Sequence, residues 1–404
     1  MTNVVTRAGR FVRQPTGYRA FIPAPLPPAP PIQMDQQLIA LLSEANIALG
    51  RLDGVAQTIP NPDLFVAMYV RSEAVLSSQI EGTQSTLDDV LEYELDGDGR
   101  DLPRDVEEVV NYVRAMNAGL ARLSTLPLSL RLIREIHAEL LRRVRGSDRR
   151  PGEFRATQNW IGEANAPLSQ ATFVPPPPHE MLSALDNLEK FLHEDYGLSV
   201  LIRCGLAHAQ FETIHPFLDG NGRVGRLLIT FLLCHHGVLH RPLLYLSHYF
   251  KRHRSEYYDR LMAVRTEGNW EGWLKFFLRG VSEVGEEAAR TARGIVELRE
   301  QHRALVQDRV SGVNGLRLLD LLFQQPIINV NLVRGRLDLA FATASKLIEQ
   351  LEELGLLQEI TGWQRNRRFR YSPYLDVFSQ PQDPTAEPEA GQTTESDNIV
   401  PAVP

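Results

Sequence analysis

The residues best suited to chemistry lie between His215 and Arg226, in the run HPFLDGNGRVGR. Gly220, Asn221 and Gly222 form a turn too permissive for a helix interior. Directly after it, Val224, Leu227, Leu228, Phe231 and Leu232 recur at the spacing of one helix face, so a buried helix begins at the turn. A glycine-rich turn that feeds a helix N-terminus offers backbone N–H groups beside the positive end of the helix dipole, which is an anion site. Arg223 and Arg226 are three residues apart and share a face near that end. A planar guanidinium suits phosphate because it can donate to two oxygens at once. Asp219 stands at the lip, where a carboxylate facing phosphates is repelled unless a divalent cation lies between them, and Mg²⁺ is commonly held by one carboxylate plus phosphates. His215 precedes the turn and can accept a proton near neutral pH. The sum is a polyphosphate cradle with a metal carboxylate and a base. No Gly-Lys-Ser/Thr run makes it a P-loop, and no strand precedes it as a dinucleotide-binding turn requires. Phe217 reads as core.

The elements that must position these groups are mostly helical. Apolar periodicity predicts helices over 35–52, over 62–80 with Asn61 as N-cap and a stop near Gly82, over 105–123 and over 128–145. Others follow at 179–196, 199–213, 221–236, 249–266 and 270–289. Between them, residues 147–178 are rich in turn residues, with two extended pieces (157–161 and 171–174) that predict a surface β-hairpin. The first 34 residues read as irregular. Within them Phe21 to Pro31 (FIPAPLPPAPP) is extended because each proline fixes φ and removes a donor, and Phe21, Ile22 and Leu26 suit a strap docked in a groove. A linking helix from about Ala289 leads to helices at 315–323, 331–337 and 341–355 and a basic hairpin at 357–371, the element order of a winged helix-turn-helix. Beyond Phe378 the chain is rich in Pro, Glu and Thr, carries five acids and no Lys or Arg, and reads as a disordered tail. The expected divisions are 1–34, 35–110, 111–290, 291–378 and 379–404.

Composition narrows the function. At 404 residues, two or three domains are expected. Lys plus Arg is 43 and Asp plus Glu is 50, a net charge of −7, so the whole surface is not built to coat nucleic acid or anionic membrane. Two cysteines, Cys204 and Cys234, cannot make a disulfide framework and read as buried apolar residues in a reducing compartment. No apolar run approaches the ~20 residues of a spanning helix, and no secretory signal is visible, so a cytoplasmic protein without a membrane partner is expected.

The nine defined positions of HPFLDGNGRVGR match the signature H-P-F-x-[D/E]-G-N-G-R-x-x-R, and the chain resembles Fic-domain proteins there. SSQIEG at Ser77 to Gly82 resembles the family's inhibitory motif, [S/T]-x-x-x-E-[G/N]. The resemblance runs from about Tyr18 to Val281. It implies an all-α protein with a Fic-type helical core, a small β-hairpin flap at 157–174 and an accessory winged helix. It implies transfer of AMP from ATP to a Ser, Thr or Tyr hydroxyl of a target protein. His215 would be the general base, Asp219 the Mg²⁺ ligand, and Gly220, Asn221 and Gly222 the anion hole. Arg223 would act on the phosphates, with Val224 and Gly225 beside them and Arg226 nearest the γ-phosphate. Phe217 would anchor the loop, and Tyr258 resembles the residue that contacts the adenosine. The flap would align the target by strand-type pairing. Glu81, with Ser77 and Gly82, would be inhibitory. Independently, Glu81 ends a helix, where the dipole disfavours an anion by a few tenths to ~1 kcal/mol, and Arg226 is the cation that would explain it.

Other functions stay open on sequence. The same pocket could remove AMP from a modified target, with Glu81 activating water, or use another nucleotide donor. A nucleotide-sensing transcription regulator is the alternative of another class. Residues 303–378 hold ten Lys or Arg and eight Asp or Glu, a net +2, so DNA contact is less favoured than packing or protein docking. Self-modification and a homodimer are compatible with the sequence, which names no target.

Overall fold

The computed structural model describes residues 5–58, 62–96, 103–162 and 167–379. Within them the chain is mostly helical, with two small antiparallel sheets. The expected N-cap Asn61 and the tail beyond 379 lie outside the described residues.

The N-terminus corrects an expectation. β1 (Val5–Thr6), β2 (Gly9–Arg13) and β3 (Arg19–Pro23) form a three-stranded sheet, where an irregular arm was expected. Phe11 pairs with Phe21, and the Phe21 N–H donates to the Val174 carbonyl at 2.9 Å, tying the sheet to the expected hairpin. The run of prolines starts only at Pro23, the last strand residue, where a missing donor is harmless, and Pro15 sits in the turn between β2 and β3. Phe21 and Leu26 are buried in the main core, while Ile22 is only half-buried.

The helices run α1 (Gln36–Thr58), α2 (Pro62–Ile80), α3 (Leu87–Asp96), α4 (Val106–Leu123), α5 (Leu130–Leu140), α6 (Pro178–His193), α7 (Val200–Ile214) and α8 (Asn221–His235). Then come α9 (Leu246–Arg252), α10 (Arg254–Glu267) and α11 (Trp270–Arg309). The C-terminal unit follows as α12 (Asn314–Gln324), β4 (Ile327–Asn329), α13 (Val330–Leu337), α14 (Phe341–Glu353), β5 (Gln358–Glu359), β6 (Arg368–Arg370) and α15 (Ser372–Ser379), with sheet order β4–β6–β5.

Several of these differ from the periodicity reading. α3, β4 and α15 were not foreseen, the helix at 128–145 stops at Leu140, and the one at 249–266 is two, broken at His253. Residues 270–309 form one continuous helix, because its apolar face persists through Val284, Ala288, Ala292 and Ile295. The expected boundaries at 110/111 and 290/291 fall inside α4 and α11.

α7 and α8 sit at the centre. α7 is buried on every side from Leu201 to Ile214, with Arg203, His208, Gln210, Glu212 and Thr213 enclosed among its apolar residues. α4 lies close against α8 at Gly119, where any Cβ would stand 2.4 Å from the Phe231 ring. α1 runs along α11, with Ala48 facing Gly285. Trp273 of α11 is fully buried and its indole N–H donates to the Gly205 carbonyl of α7 at 2.8 Å. Trp273→Ala removes a large core side chain and strands that carbonyl, so it should cost about 3–5 kcal/mol. Urea unfolding followed by circular dichroism would measure it.

Candidate functional site

The junction of α7 and α8 is a loop held by backbone-directed bonds. His215 ends α7 in the left-handed region (φ 50°), and its N–H donates to the Phe211 carbonyl at 2.9 Å. Gly220 (φ 77°) precedes α8. Asn221 bridges back to Phe217, its Oδ1 accepting the Phe217 N–H at 2.8 Å and its Nδ2 donating to the carbonyl at 2.9 Å. Phe217 is buried and stacks on His137, ring centres 3.7 Å apart and 6° from parallel. The Gly152 N–H donates to His137 Nδ1 at 2.8 Å, so the ring proton is on Nε2, which donates to the Asp219 carbonyl at 3.0 Å. Burial pushes the His137 pKa down to about 4, which keeps that tautomer neutral.

A second clamp comes from the segment after Gly152. Arg155 is buried and donates to the carbonyls of His215 (2.9 Å), Thr157 (3.1 Å) and Pro176 (2.5 Å). Asn159 Nδ2 donates to the Phe217 carbonyl at 2.8 Å. Sequence reading missed His137, Arg155 and Asn159, because their bonds go to backbone distant in the chain and leave no local pattern. Residues Ile161 and Phe173 pair through two backbone hydrogen bonds (2.8 and 3.0 Å), so the two expected extended pieces do meet, while residues 163–166 lie outside the described residues.

The loop opens on a cavity of about 60 Å³. His215, Asp219, Gly220, Asn221, Gly222 and Arg226 line it, and Glu81 and Tyr258 complete the wall. These sequence-selected residues therefore meet. Others do not face it. Val224 is core, and Gly225 gives Glu212 room, since a Cβ there would be 2.3 Å from Glu212 Oε1. Arg223, expected on the phosphates, is buried behind the loop. Its Nη1 donates to Glu108 of α4 at 3.1 Å and its Nη2 pairs with Asp219 at 3.4 Å. Glu108 also pairs with Arg145 at 3.2 Å. The Arg223 guanidinium, enclosed in the core, is thus shared between the carboxylates of Glu108 and Asp219.

Arg226 is almost wholly buried, and its guanidinium bonds to the end of α2. Nε donates to Ser77 Oγ at 2.7 Å, and Nη2 donates to the Ser77 carbonyl at 3.0 Å and to Glu81 Oε1 at 2.6 Å. Burial opposes ionisation of Glu81, but the charge and hydrogen bond of Arg226 prevail and hold its carboxyl below the usual range. The Glu81 carboxyl lies over the glycine turn: a Cβ on Gly222 would be 2.2 Å from Oε1. Gly82 (φ 96°) turns the chain away immediately after.

His215 is pushed down to about 3, by burial first and then by Arg155 and Arg265, so its imidazole is neutral at physiological pH and free to accept a proton. Its Nδ1 is buried without a partner. Two further residues escaped the sequence reading. Glu212, on the cavity wall, is pushed up to about 7 by burial. Tyr257 donates its hydroxyl to His208 Nε2 at 2.8 Å, the other ring nitrogen being committed as a donor to the Gly225 carbonyl.

Among the described residues no group of three or more His, Cys, Asp or Glu could hold a metal. Asp219 alone fits Mg²⁺ only together with phosphate oxygens, the usual chemistry of that ion. A cavity of about 60 Å³ is also far below the ~300 Å³ at which ligand pockets begin, so with Glu81 seated it is too small to enclose a nucleotide.

Comparison with known proteins follows the same lines. The Fic/DOC family N-terminal profile matches residues 39–121, and the Fic/DOC family profile matches residues 127–233. A Drosophila grimshawi protein named Protein adenylyltransferase Fic is 31% identical over 216 residues, which is 52% of this chain and 40% of that protein. The Aedes aegypti protein of the same name is 29% identical over 261 residues, covering 63% and 46%. The chain thus spans less than half the length of these relatives. The crystal structure of a Fic family protein from Desulfovibrio desulfuricans G20 has the same fold, with a TM-score of 0.54 at 20% identity over 84% of this chain and 97% of that one.

Arg155→Ala should cost about 2–4 kcal/mol, because it strips the buried Pro176 carbonyl of its Arg155 donor and leaves the His215 carbonyl only the longer 3.3 Å bond from Asn159. Arg155→Lys should recover only part, since one ammonium cannot reach every acceptor of the planar fork. Thermal unfolding of both variants would check this order.

Proposed function

Residues 39–233 belong to the Fic/DOC family, and on that footing we propose that the chain is a protein adenylyltransferase held in check by Glu81. It transfers AMP from ATP to a Ser, Thr or Tyr hydroxyl of a target protein, itself included. The observation that carries this reading is the placement of Glu81 on Arg226 and over Gly222, beside His215, in one small cavity.

In the proposed reaction the target oxygen forms a bond to the α-phosphorus, the bond to the β-phosphate oxygen breaks, and pyrophosphate leaves. The hydroxyl proton passes to His215. An anionic nucleotide opposes the fields of Arg155 and Arg265 and raises the basicity of that imidazole just where it is needed. Asp219 would hold Mg²⁺, which neutralises phosphate charge. Asp219 is itself oriented by Arg223 and by the bond from His137 to its carbonyl. The loop Gly220 to Gly222 receives phosphate oxygens at the start of α8. Arg226 takes the terminal phosphate once Glu81 leaves it, and Tyr258 lies against the nucleoside. The paired strands at Ile161 and Phe173 support a flap that aligns the target chain.

The C-terminal unit is read as a winged helix-turn-helix with a docking role, supported by the order α12–α13–α14 and the β4–β6–β5 sheet. Among the described residues no helix is long and apolar enough to cross a membrane.

Glu81→Gly should raise transfer of label from [α-³²P]ATP to protein about 10- to 100-fold, the scale of one charge-assisted hydrogen bond of roughly 1.5–3 kcal/mol. His215→Ala in the same background should lower it by about 10²–10⁴, the usual worth of a general base. Autoradiography of the purified chain reads both. No gain of label in Glu81→Gly would defeat the inhibitory assignment, and full label in the His215→Ala background would defeat the base.

A further inference from the structure

α2 is gripped on two sides. Glu73, Ser77 and Glu81 face Tyr112, Ser247 and Arg226 of the core. Tyr69, Ser72 and Leu76 line a cavity shared with α15, and Tyr69 meets the Phe378 ring edge-on at 5.4 Å. Past Glu81 the chain turns through Gly82 to Thr86 into α3. Asp105 pins that turn, accepting from the Gln84 N–H and the Ser85 hydroxyl, each at 2.5 Å. Arg71 of α2 reaches Glu94 of α3 at 2.8 Å. α2, the turn and α3 are therefore one mechanical piece.

That piece is fastened to the C-terminal unit by a matched pair of charges. Asp88 and Glu92 lie four apart on α3, about 6 Å along the helix. Arg368 and Arg370 lie two apart on β6, about 6.6 Å along the strand, and point to the same side. Arg370 Nε donates to Asp88 at 3.2 Å, and Arg368 Nη1 donates to Glu92. Phe369 between them is buried in the opposite direction. β6 is the central strand of its sheet, so its backbone is fixed by both neighbours. Leu87, the first residue of α3, lines the same cavity as Val377 and Phe378. Basic residues that could serve as a nucleic-acid wing are spent on a helix of the same chain.

We infer that the C-terminal unit is a latch: the arginine pair on β6 docks the acidic face of α3 and so keeps α2 where Glu81 reaches Arg226. Its effect on activity rests on the inhibitory reading of Glu81, but the mechanical coupling does not. Each partly exposed pair shifts a latched–unlatched balance by roughly 1.5- to 5-fold, so losing both multiplies to about 2- to 30-fold.

The test uses the full chain and two readouts. Amide hydrogen exchange over residues 76–86 should speed up several-fold in Glu92→Arg and likewise in Arg368→Glu, and return toward the parent rate in the double variant Glu92→Arg/Arg368→Glu, where the pair is restored with its charges exchanged. Labelling from [α-³²P]ATP should follow the same order, with Glu81→Gly as the reference for full release. Unchanged exchange in both single variants, or no recovery in the exchanged pair, overturns the latch. If Glu81→Gly labels strongly while Glu92→Arg labels no better than the parent, the latch does not govern Glu81. If Glu81→Gly is silent, the proposed function fails and exchange alone still decides the latch.

Discussion

A guanidinium sealed inside a helical bundle has to be given an anion. Breaking a buried pair by removing one partner typically costs about 3–5 kcal/mol, because the remaining charge is left without solvent or counter-ion. Arg226 is in that position, and Glu81 is its anion in this structure. Any phosphate that takes Arg226 must first displace that carboxyl, which also covers the glycine turn. In the proposed reading, binding of nucleotide and seating of Glu81 are therefore alternatives set by sterics and charge together. An inhibitory residue that met only one of these demands would be bypassed: a neutral plug would leave Arg226 unpaired, and a carboxylate placed elsewhere would leave the phosphate path open.

The same constraint explains why the N-terminal helices cannot be treated as an appendage. Both arginines of HPFLDGNGRVGR draw their counter-ions from them, Arg226 from Glu81 after α2 and Arg223 from Glu108 on α4. α4 packs closely on α8 at Gly119 and Phe231, so the helix that neutralises Arg223 also fixes where α8 starts. Against that background the loop is tied by neutral groups: Asn221, Asn159 and a His137 kept neutral by burial. Charged tethers there would have competed with phosphate for the turn. Arg155, a charged tether, spends its donors on backbone carbonyls and lowers the basicity of His215 by its field.

What the sequence disclosed and what it hid divide along locality. The turn at Gly220 to Gly222 and the buried α8 are contiguous patterns that spacing located, while Glu81 was singled out by the resemblance of SSQIEG to the inhibitory motif, with its place at a helix end in support. The assignment of Arg223 to phosphate was made on the face it shares with Arg226, but side-chain direction was decided by Glu108, a residue 115 positions away. The β1–β2–β3 sheet was masked by the proline run that follows its last strand from Pro23 on. α3 was passed over because it is only ten residues long, although Leu87, Val90, Leu91 and Leu95 keep helical spacing, and the break at His253 leaves the apolar spacing on either side intact. The one long α11 looked like two elements because its outer face becomes charged beyond Ala289 while its inner face stays apolar.

α2 carries a polar seam inside the bundle. A helix this enclosed is usually greasy where it touches the core, yet its inward seam carries Glu73, Ser77 and Ser78, each almost fully buried. Ser78 Oγ and Glu73 Oε2 have no partner, and burial pushes Glu73 up to about 7 despite its bonds from Ser247 and Tyr112. Incompletely satisfied polar groups of this kind lower the free energy that holds a helix in place, since each regains water on withdrawal. Glu81 compensates at the far end, where one strong bond to Arg226 offsets the weak seam. The seated position of α2 combines an apolar face, with Phe65, Met68, Val70, Ala74 and Ile80 buried, and a small number of polar contacts around Arg226. In the proposed reading, that polar part of the seam is where one anion can replace another at Arg226 while the apolar face stays with the bundle.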